Sequence, residues 1–511
     1  MSNTPPGKLF AFLTAFSFPV LLMSFAALAG VGIFIIGEGI WEAREEHSEA
    51  EFTAEEVARH NTTEDCWLIV YGKVFDLTEA SKAHPGTFNC GGDGSENYRK
   101  NHGEKLRDKM MAFYIGELKG DPPVPPQAEV EEEINPRKEL FVEEGSWDPL
   151  NLMIVMEREN RSLLAIDART HTPVGRVLDV GERVHTQVFS PDGNYAYHIS
   201  RDGWLTKIDL RTLDPVGHVR VGENSRGTAL TENGKIVAVG NYEPRNVVLL
   251  DADTLEIIKR IDLFDYEQGK LVKSRAGAMV EKGNKIIVAL KDTASIWVID
   301  TDVRGMPVMN YYWDIGDDAD ILHDGYLTAD GRYYLISMQE SNQVWVLDTD
   351  TMEPIATVST GKKPHTGPGA TWGDATFVPA LDEGLITAID MKTWTPKKFI
   401  KTGGPGLFVR SYPDSSYPYV WADTAFGENE DEIYVIDGKS LEVVKTLVPM
   451  EGKRSIHPEF TPDGRYVYVA VWLGNKVYVY DSRTFEVVKT IDAITPSGVS
   501  SVGLRVEEPG I

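Results

Sequence analysis

Imidazoles are the side chains of this sequence best suited to redox and proton chemistry, and five of its 11 histidines stand in distinctive surroundings. His84 precedes Pro85-Gly86, His102 lies between Asn101 and Gly103, and His185 follows Arg183-Val184. His323 opens a His-Asp-Gly run, and His365 follows Lys363-Pro364. A neutral imidazole ligates iron, and its ordinary pKa near 6.5 lets it move protons at working pH. His171, His198, His218 and His457 lack such surroundings and read as surface or packing residues. The sulfur inventory is smaller. With only Cys66 and Cys90, a disulfide scaffold and a four-cysteine zinc or iron–sulfur site are excluded. No Cys-x-x-Cys-His run occurs, which excludes a conventional c-type haem. Cys66, in Asp-Cys-Trp, reads as a core position, and Cys90 as a small buried thiol.

Three of those histidines lie in a repetitive region that runs from about Glu139 to the end. A strand ending in aspartate, a turn and a second strand recur eight times, marked by Asp167, Asp209, Asp251, Asp300, Asp348, Asp390, Asp437 and Asp481. The spacings run from 42 to 49 residues, the period of a four-stranded propeller blade. The aspartates are expected to form turns, not to catalyse. A second marker is the Asp-Gly turn in Ser190-Pro-Asp-Gly193, Thr328-Ala-Asp-Gly331 and Thr461-Pro-Asp-Gly464, which suits a reversal needing a positive φ. Eight repeats predict an eight-bladed β-propeller whose loops converge on one face, where a large flat cofactor can lie.

The whole chain, 511 residues with 42% hydrophobic and 25% charged side chains, is too long for one core. The expected fold class is multidomain: a single N-terminal transmembrane helix, a small α+β domain and the all-β propeller. Residues 1–50 form an anchor and stalk, 51–119 a compact domain, 120–138 a proline-rich acidic linker, and 139–511 the propeller. Leu9 to Gly37 carry no charge and are long enough to span a bilayer. Lys8 before the run, and Glu38, Glu42, Arg44, Glu45 and Glu46 after it, favour a cytoplasmic N-terminus with the bulk of the chain periplasmic or otherwise extracytoplasmic. Ala27-Leu28-Ala29 resembles a signal-peptidase site, so a removed signal peptide is the alternative; apolar residues through Ile36 favour the uncleaved anchor. A net charge of −27 argues against nucleic-acid binding. It suits steering of a basic electron-transfer partner, or plain solubility.

The compact domain resembles the cytochrome b5 family along its length. The resemblance rests on Phe52-Thr-Ala-Glu-Glu-Val-Ala-Arg-His-Asn, the Trp67-Leu-Ile-Val-Tyr-Gly-Lys-Val-Phe-Asp hairpin, His84-Pro-Gly, Asn101-His-Gly and Phe113-Tyr-Ile-Gly-Glu-Leu. It implies haem b held by His84 and His102, with both axial positions filled, so that this haem moves electrons and binds no substrate. Thr87 stands where the family has a second glycine, and the stretch between the histidines is shorter than usual and glycine-rich at Cys90-Gly-Gly-Asp-Gly. That leaves ligation by His102 less settled than by His84, and leaves open whether Cys90 touches the haem.

The propeller resembles the d1 domain of cytochrome cd1 nitrite reductase and of its relatives in haem d1 maturation. Three pieces carry this: Arg183-Val-His-Thr-Gln-Val-Phe-Ser-Pro-Asp-Gly, Leu322-His-Asp-Gly and Lys363-Pro-His-Thr-Gly-Pro-Gly-Ala. The resemblance implies haem d1 as cofactor, with His185 on the iron and His323 and His365 as distal, proton-delivering catalytic residues. A d1 macrocycle carries several carboxylates, so Arg201, Arg226 and Arg275 are the expected cofactor-binding arginines, with Lys363 a weaker candidate. Pro368 replaces an arginine of the family's motif, and a b5-like domain stands where the family's exported enzymes use a c-type haem.

The leading expectation is an oxidoreductase that passes electrons from a membrane donor or small cytochrome through haem b to haem d1, reducing nitrite or a related small nitrogen oxide. A dehydrogenase acting in d1 maturation is the first alternative. The second is a haem-b electron-transfer or scaffold subunit of a larger membrane complex, with a cofactor-free propeller.

Overall fold

A computed structural model describes residues 50–83, 88–96, 98, 108–119, 135–267, 269–293, 295–312, 320–367, 369–412 and 417–507. Leu9–Gly37, read above as a membrane span, lie outside the described residues. So do both expected haem b ligands, His84 and His102. No helix among the described residues is long and apolar enough to cross a membrane.

The first domain is built on a five-stranded sheet. Asp65–Val70 and Lys73–Asp76 form the central hairpin, Tyr114–Leu118 pairs antiparallel to the second of these, and Glu51–Phe52 pairs parallel to Tyr114–Leu118. Alternation along Asp65–Val70 explains the layering. Cys66, Leu68 and Val70 point into one cluster with Phe75 and Leu77, while Ile69 joins Val57 and Val74 on the opposite face. Thr53 and Glu56 form a reciprocal capping box on the short helix Ala54–Val57.

The glycine-rich run after the His84 turn has a definite place. Gly91 N donates to Trp67 O, Ile69 N to Gly92 O and Gly94 N to Ile69 O, at 2.7, 2.9 and 2.8 Å. The run thus lies like a short extra strand along Asp65–Val70. Gly91 has φ +80°, and a Cβ on Gly94 would stand 2.7 Å from Leu68 Cδ2, so glycine is required for both turn and close approach. One expectation needs correction here. Cys90 is not a thiol: it forms a disulfide with Cys66, with Cα atoms 4.8 Å apart. The folding-back of residues 91–94 onto the strand brings the two cysteines together, which sequence separation alone does not reveal.

The second domain is an all-β propeller of eight blades. Seven blades are four-stranded meanders that begin at Val184, Asn224, Ala276, Leu322, Ala370, Val409 and Ser455. The first blade has five strands and draws on both ends of the domain. Leu152–Glu157, Ser162–Asp167 and Thr172–Leu178 are joined on the inside by Pro496–Ser501 and on the outside by Arg137–Leu140. The innermost strands of successive blades pack against one another around the axis.

The marker aspartates are turn residues. Each accepts a backbone N–H two residues on, as in Asp167 Oδ1 from Arg169 N at 2.9 Å and Asp437 Oδ1 from Lys439 N at 2.8 Å. Gly193, Gly331 and Gly464 have φ of +68°, +66° and +66°, as the Asp-Gly turns require. These Asp-Gly turns link the first and second strands of their blades, so they lie at the end of the propeller opposite the start of the inner strands.

Candidate redox site at the propeller axis

The residues singled out in the propeller cluster at one end of the axis; β-bulges put His185, Arg226 and His323 there, while Arg201, Arg275 and His365 lie in segments flanking the strands. In the blade starting at Val184, Val184 pairs with Ser200 and Thr186 with Ile199, so His185 is skipped. Arg226 is skipped in the same way between Ser225 and Gly227. His323 and Asp324 fall between the pairs Leu322–Met338 and Gly325–Ile336, and His457 between Ile456–Ala470 and Glu459–Tyr468. A bulge releases a residue from the ladder and re-aims its side chain. On an innermost strand, that leaves the released residue at the axis.

His323 and His365 share one carboxylate. Asp324 Oδ2 lies 2.5 Å from His365 Nε2, and Oδ1 lies 3.4 Å from His323 Nε2. The two rings are 5.6 Å apart, centroid to centroid, at 70°. Burial works against charge on His365, but the Asp324 carboxylate outweighs it, so the imidazole holds its proton above the usual histidine range. His323 behaves oppositely. Burial and the nearby Lys291 ammonium push it well below the ordinary value, against the pull of Asp324. Asp324 itself stays ionised far into acid despite its burial, because both imidazoles and Lys291 favour its charge. His365 Nδ1 is buried beside the Leu407 backbone, which also favours its proton.

Across the axis stands His185. Its Nδ1 is buried without a partner, while the ring keeps part of its surface accessible, leaving Nε2 to meet a ligand. Burial, then the charges of Arg201, Arg226 and Arg158, hold it neutral, which is the state that ligates iron. Asp324 acts on His185 electrostatically, favouring its charged form against the arginines.

The arginines divide. Arg201, after the strand Tyr195–Ser200, has a buried Nε with no hydrogen-bond partner among the described residues. Burial and the like charges of Arg226, Arg158 and Arg183 push its pKa well below normal. Because a guanidinium does not release its proton in proteins, this strain is a demand for an anion. Arg226 stands 4.8 Å over the Tyr242 ring and donates Nε to Asn224. Arg275 also faces Tyr242, at 5.0 Å, but its Nε donates to Asp292 at 2.9 Å, so its charge is already answered. Lys363 pairs with Asp382 at 2.7 Å. A crowd of cations around a buried orphan donor is chemically suited to a flat macrocycle with several carboxylates.

The other histidines are packing residues. His198 is buried, His218 stacks on Trp204 at 4.1 Å, and His171 bonds Tyr468 Oη at 2.8 Å. His457 is more than that by position: its ring packs tilted at 4.3 Å against Phe408, which in turn packs edge-on against His365. Asp423, buried beneath this row, accepts backbone N–H groups of Leu407, Phe408 and His457, and its burial still pushes its carboxyl up to about 6. Sequence reasoning missed Lys291, Asp292, Tyr242, Phe408 and Asp423, which come to the site through blade packing and carry no motif. Asp324 was visible beside His323 in the His-Asp-Gly run and could have been assigned from that adjacency.

Comparison with known proteins supplies an independent view. Residues 147–504 match the family model described as cytochrome D1 heme domain, and residues 53–119 the cytochrome b5-like heme/steroid binding domain. A dihydro-heme d1 dehydrogenase of Pseudomonas aeruginosa is 37% identical over 329 residues, 64% of this chain and 65% of that protein, a little under two thirds of its length. Protein NirF of Stutzerimonas stutzeri is 30% identical over 374 residues, 71% of this chain and 93% of that one. The solved structure of dihydro-heme d1 dehydrogenase NirN in complex with DHE superposes with a TM-score of 0.65 at 32% identity, covering 81% of this chain and 92% of that one.

Proposed function

This chain belongs to the cytochrome D1 heme domain family and carries a cytochrome b5-like domain ahead of it, and from that premise we propose that it oxidises a d1-type haem precursor. It is a haem d1-related redox protein, with haem b as the cofactor of the first domain and a d1-type haem that of the propeller. The finer reading is a dehydrogenase of dihydro-haem d1. The observation that carries it is Asp324 set between two imidazoles, across the axis from a neutral His185 and beside the arginine cluster.

Removing two hydrogens from the dihydro macrocycle releases two electrons and two protons. Imidazoles bridged by a carboxylate that stays ionised can pass protons on near neutral pH. The Arg201 and Arg226 guanidiniums would orient the carboxylates of a bound ring, and His185 would hold its iron. His84 and His102 would hold the b-type haem, which would supply one-electron transfer.

Nitrite reduction is the second reading. It is favoured by the charged His365 beside His323, a pair able to supply the two protons that conversion of nitrite to nitric oxide consumes with one electron. Anaerobic incubation with dihydro-haem d1 and an artificial electron acceptor separates the two. Appearance of the haem d1 spectrum supports the dehydrogenase. Nitric oxide from nitrite with an artificial donor, without any conversion of dihydro-haem d1, replaces it with the reductase. A b-type spectrum alone, with neither activity, leaves an electron-transfer or scaffold subunit.

The remaining context is also proposed. The Leu9–Gly37 run anchors the chain with its N-terminus in the cytoplasm and the two domains outside, a placement that the Cys66–Cys90 disulfide supports, since such bonds persist in oxidising compartments. The charge of −27 suits a basic small cytochrome or a membrane partner as the electron-exchange protein.

A further inference from the structure

Lys291 occupies an unusual place for a lysine. It lies in the turn after Lys285–Leu290, with only 6% of its surface exposed. Its backbone N–H donates to Arg275 O at 2.9 Å, and its Nζ stands 5.6 Å from the centre of the Tyr242 ring. Among the described residues no carboxylate pairs with it directly, because the neighbouring Asp292 is taken by Arg275. Its hydrogen-bond partner is His323 Nδ1.

We propose that Lys291 is a positioning residue that fixes the tautomer of His323. An ammonium has three donors and no acceptor, so a nitrogen that meets it must accept. Nδ1 then carries no proton, and the proton of the neutral ring sits on Nε2, the nitrogen that faces Asp324 Oδ1 at 3.4 Å. The back of His323 is closed. The hydrogen that His323 presents is therefore the one on Nε2, aimed along the line of Asp324 and His365 Nε2. The groups facing His323 are Lys291, Asp324, His365 and, farther off, Arg226. Those facing His365 are Asp324, His323, Asp423 and the Leu407 backbone. The balance of these charges favours a neutral His323 beside a protonated His365, the division that a one-directional relay needs. The inference deepens the proposed dehydrogenation, and rests on it only for the catalytic consequence.

The test begins without haem. Full-length protein labelled with 15N-histidine gives tautomer-specific long-range 1H–15N correlations. The wild type is expected to show His323 as the Nε2–H tautomer, assigned by its loss in His323→Gln. Lys291→Met should convert this signal to a mixture containing Nδ1–H, and Lys291→Arg should restore it. In the loaded protein, kcat for dihydro-haem d1 should fall about tenfold in Lys291→Met, with KM nearly unchanged. An Nδ1–H tautomer in the wild type overturns the proposal without any variant needing to fold, as does an unchanged tautomer in a folded Lys291→Met. The expected tautomers in a wild type that does not convert dihydro-haem d1 uphold the positioning and reject the reaction.

Discussion

Asp324 reaches both distal imidazoles with one carboxylate, bonding His365 Nε2 at 2.5 Å through Oδ2 and facing His323 Nε2 at 3.4 Å through Oδ1. The three groups come from neighbouring blades that begin at Leu322 and Ala370, and their donor atoms all lie within 4.8 Å of one another. The pair is therefore electrically one unit, and its response to pH belongs to the unit.

Removing the carboxylate charge should change how stability depends on pH. The fold raises the pKa of His365, so its contribution is fully present below the unfolded value near 6.5 and is lost as pH rises through the raised value. Asp324 is lowered, so its contribution is present above about pH 4 and is lost only in strong acid. Asp324→Asn should lower Tm at pH 6 and bring the two proteins closer together as pH rises past neutrality. Parallel Tm curves between pH 5 and 9 would show that the contact does not hold the proton on His365.

The arginines should separate into two kinds. Arg201→Met removes a donor with no protein partner, so Tm should hold while affinity for a d1-type haem falls about 10- to 100-fold. Arg275→Met strands a largely buried Asp292, so the main loss is stability, on the order of 3 kcal/mol. Titration calorimetry with the macrocycle, beside chemical denaturation, reads both. Equal effects of the two variants on affinity would contradict this division.

The disulfide closes a loop of 24 residues, which corresponds to about 3 kcal/mol of stabilisation by chain entropy. A Cys66→Ser, Cys90→Ser protein should melt its b-type Soret band earlier, and a thiol reductant should lower the wild-type transition to the same temperature. The propeller transition should stay where it is. A reductant effect persisting in the double variant would place its cause elsewhere.

The two haems should respond to separate substitutions. His84→Ala is expected to abolish the b-type α-band and leave binding of a d1-type haem to the propeller intact. His185→Ala should alter the d1-type spectrum alone. Difference spectra of the two variants decide this, and cross-talk between them would argue that one haem is not held where proposed.

The blade count and turn chemistry were legible because they repeat. An aspartate whose carboxylate caps a turn recurs at every blade, and local geometry is all it needs. His185, His323 and His365 were legible through short motifs. The reason His185 and His323 reach the axis was not, because a bulge changes pairing by a residue or two without a composition signal. Lys291 and Asp423 were invisible for a different reason: each acquires its chemistry from a neighbouring blade. The Cys66–Cys90 bond was not legible because nothing in the composition of the glycine-rich run shows that it folds back along Asp65–Val70 as a strand-like segment.

The first blade takes its inner strand from residues near 500 and its outer strand from residues near 140. A chain emerging N-terminus first therefore cannot complete its circle until nearly the last segment has been delivered. The small leading domain, whose sheet is complete with Tyr114–Leu118, can mature while the circle still gapes. This imposes a sequence of assembly: the one-electron module is finished early, and the pocket for the larger ring comes into being at a single late moment, when the trailing strand clasps the seam.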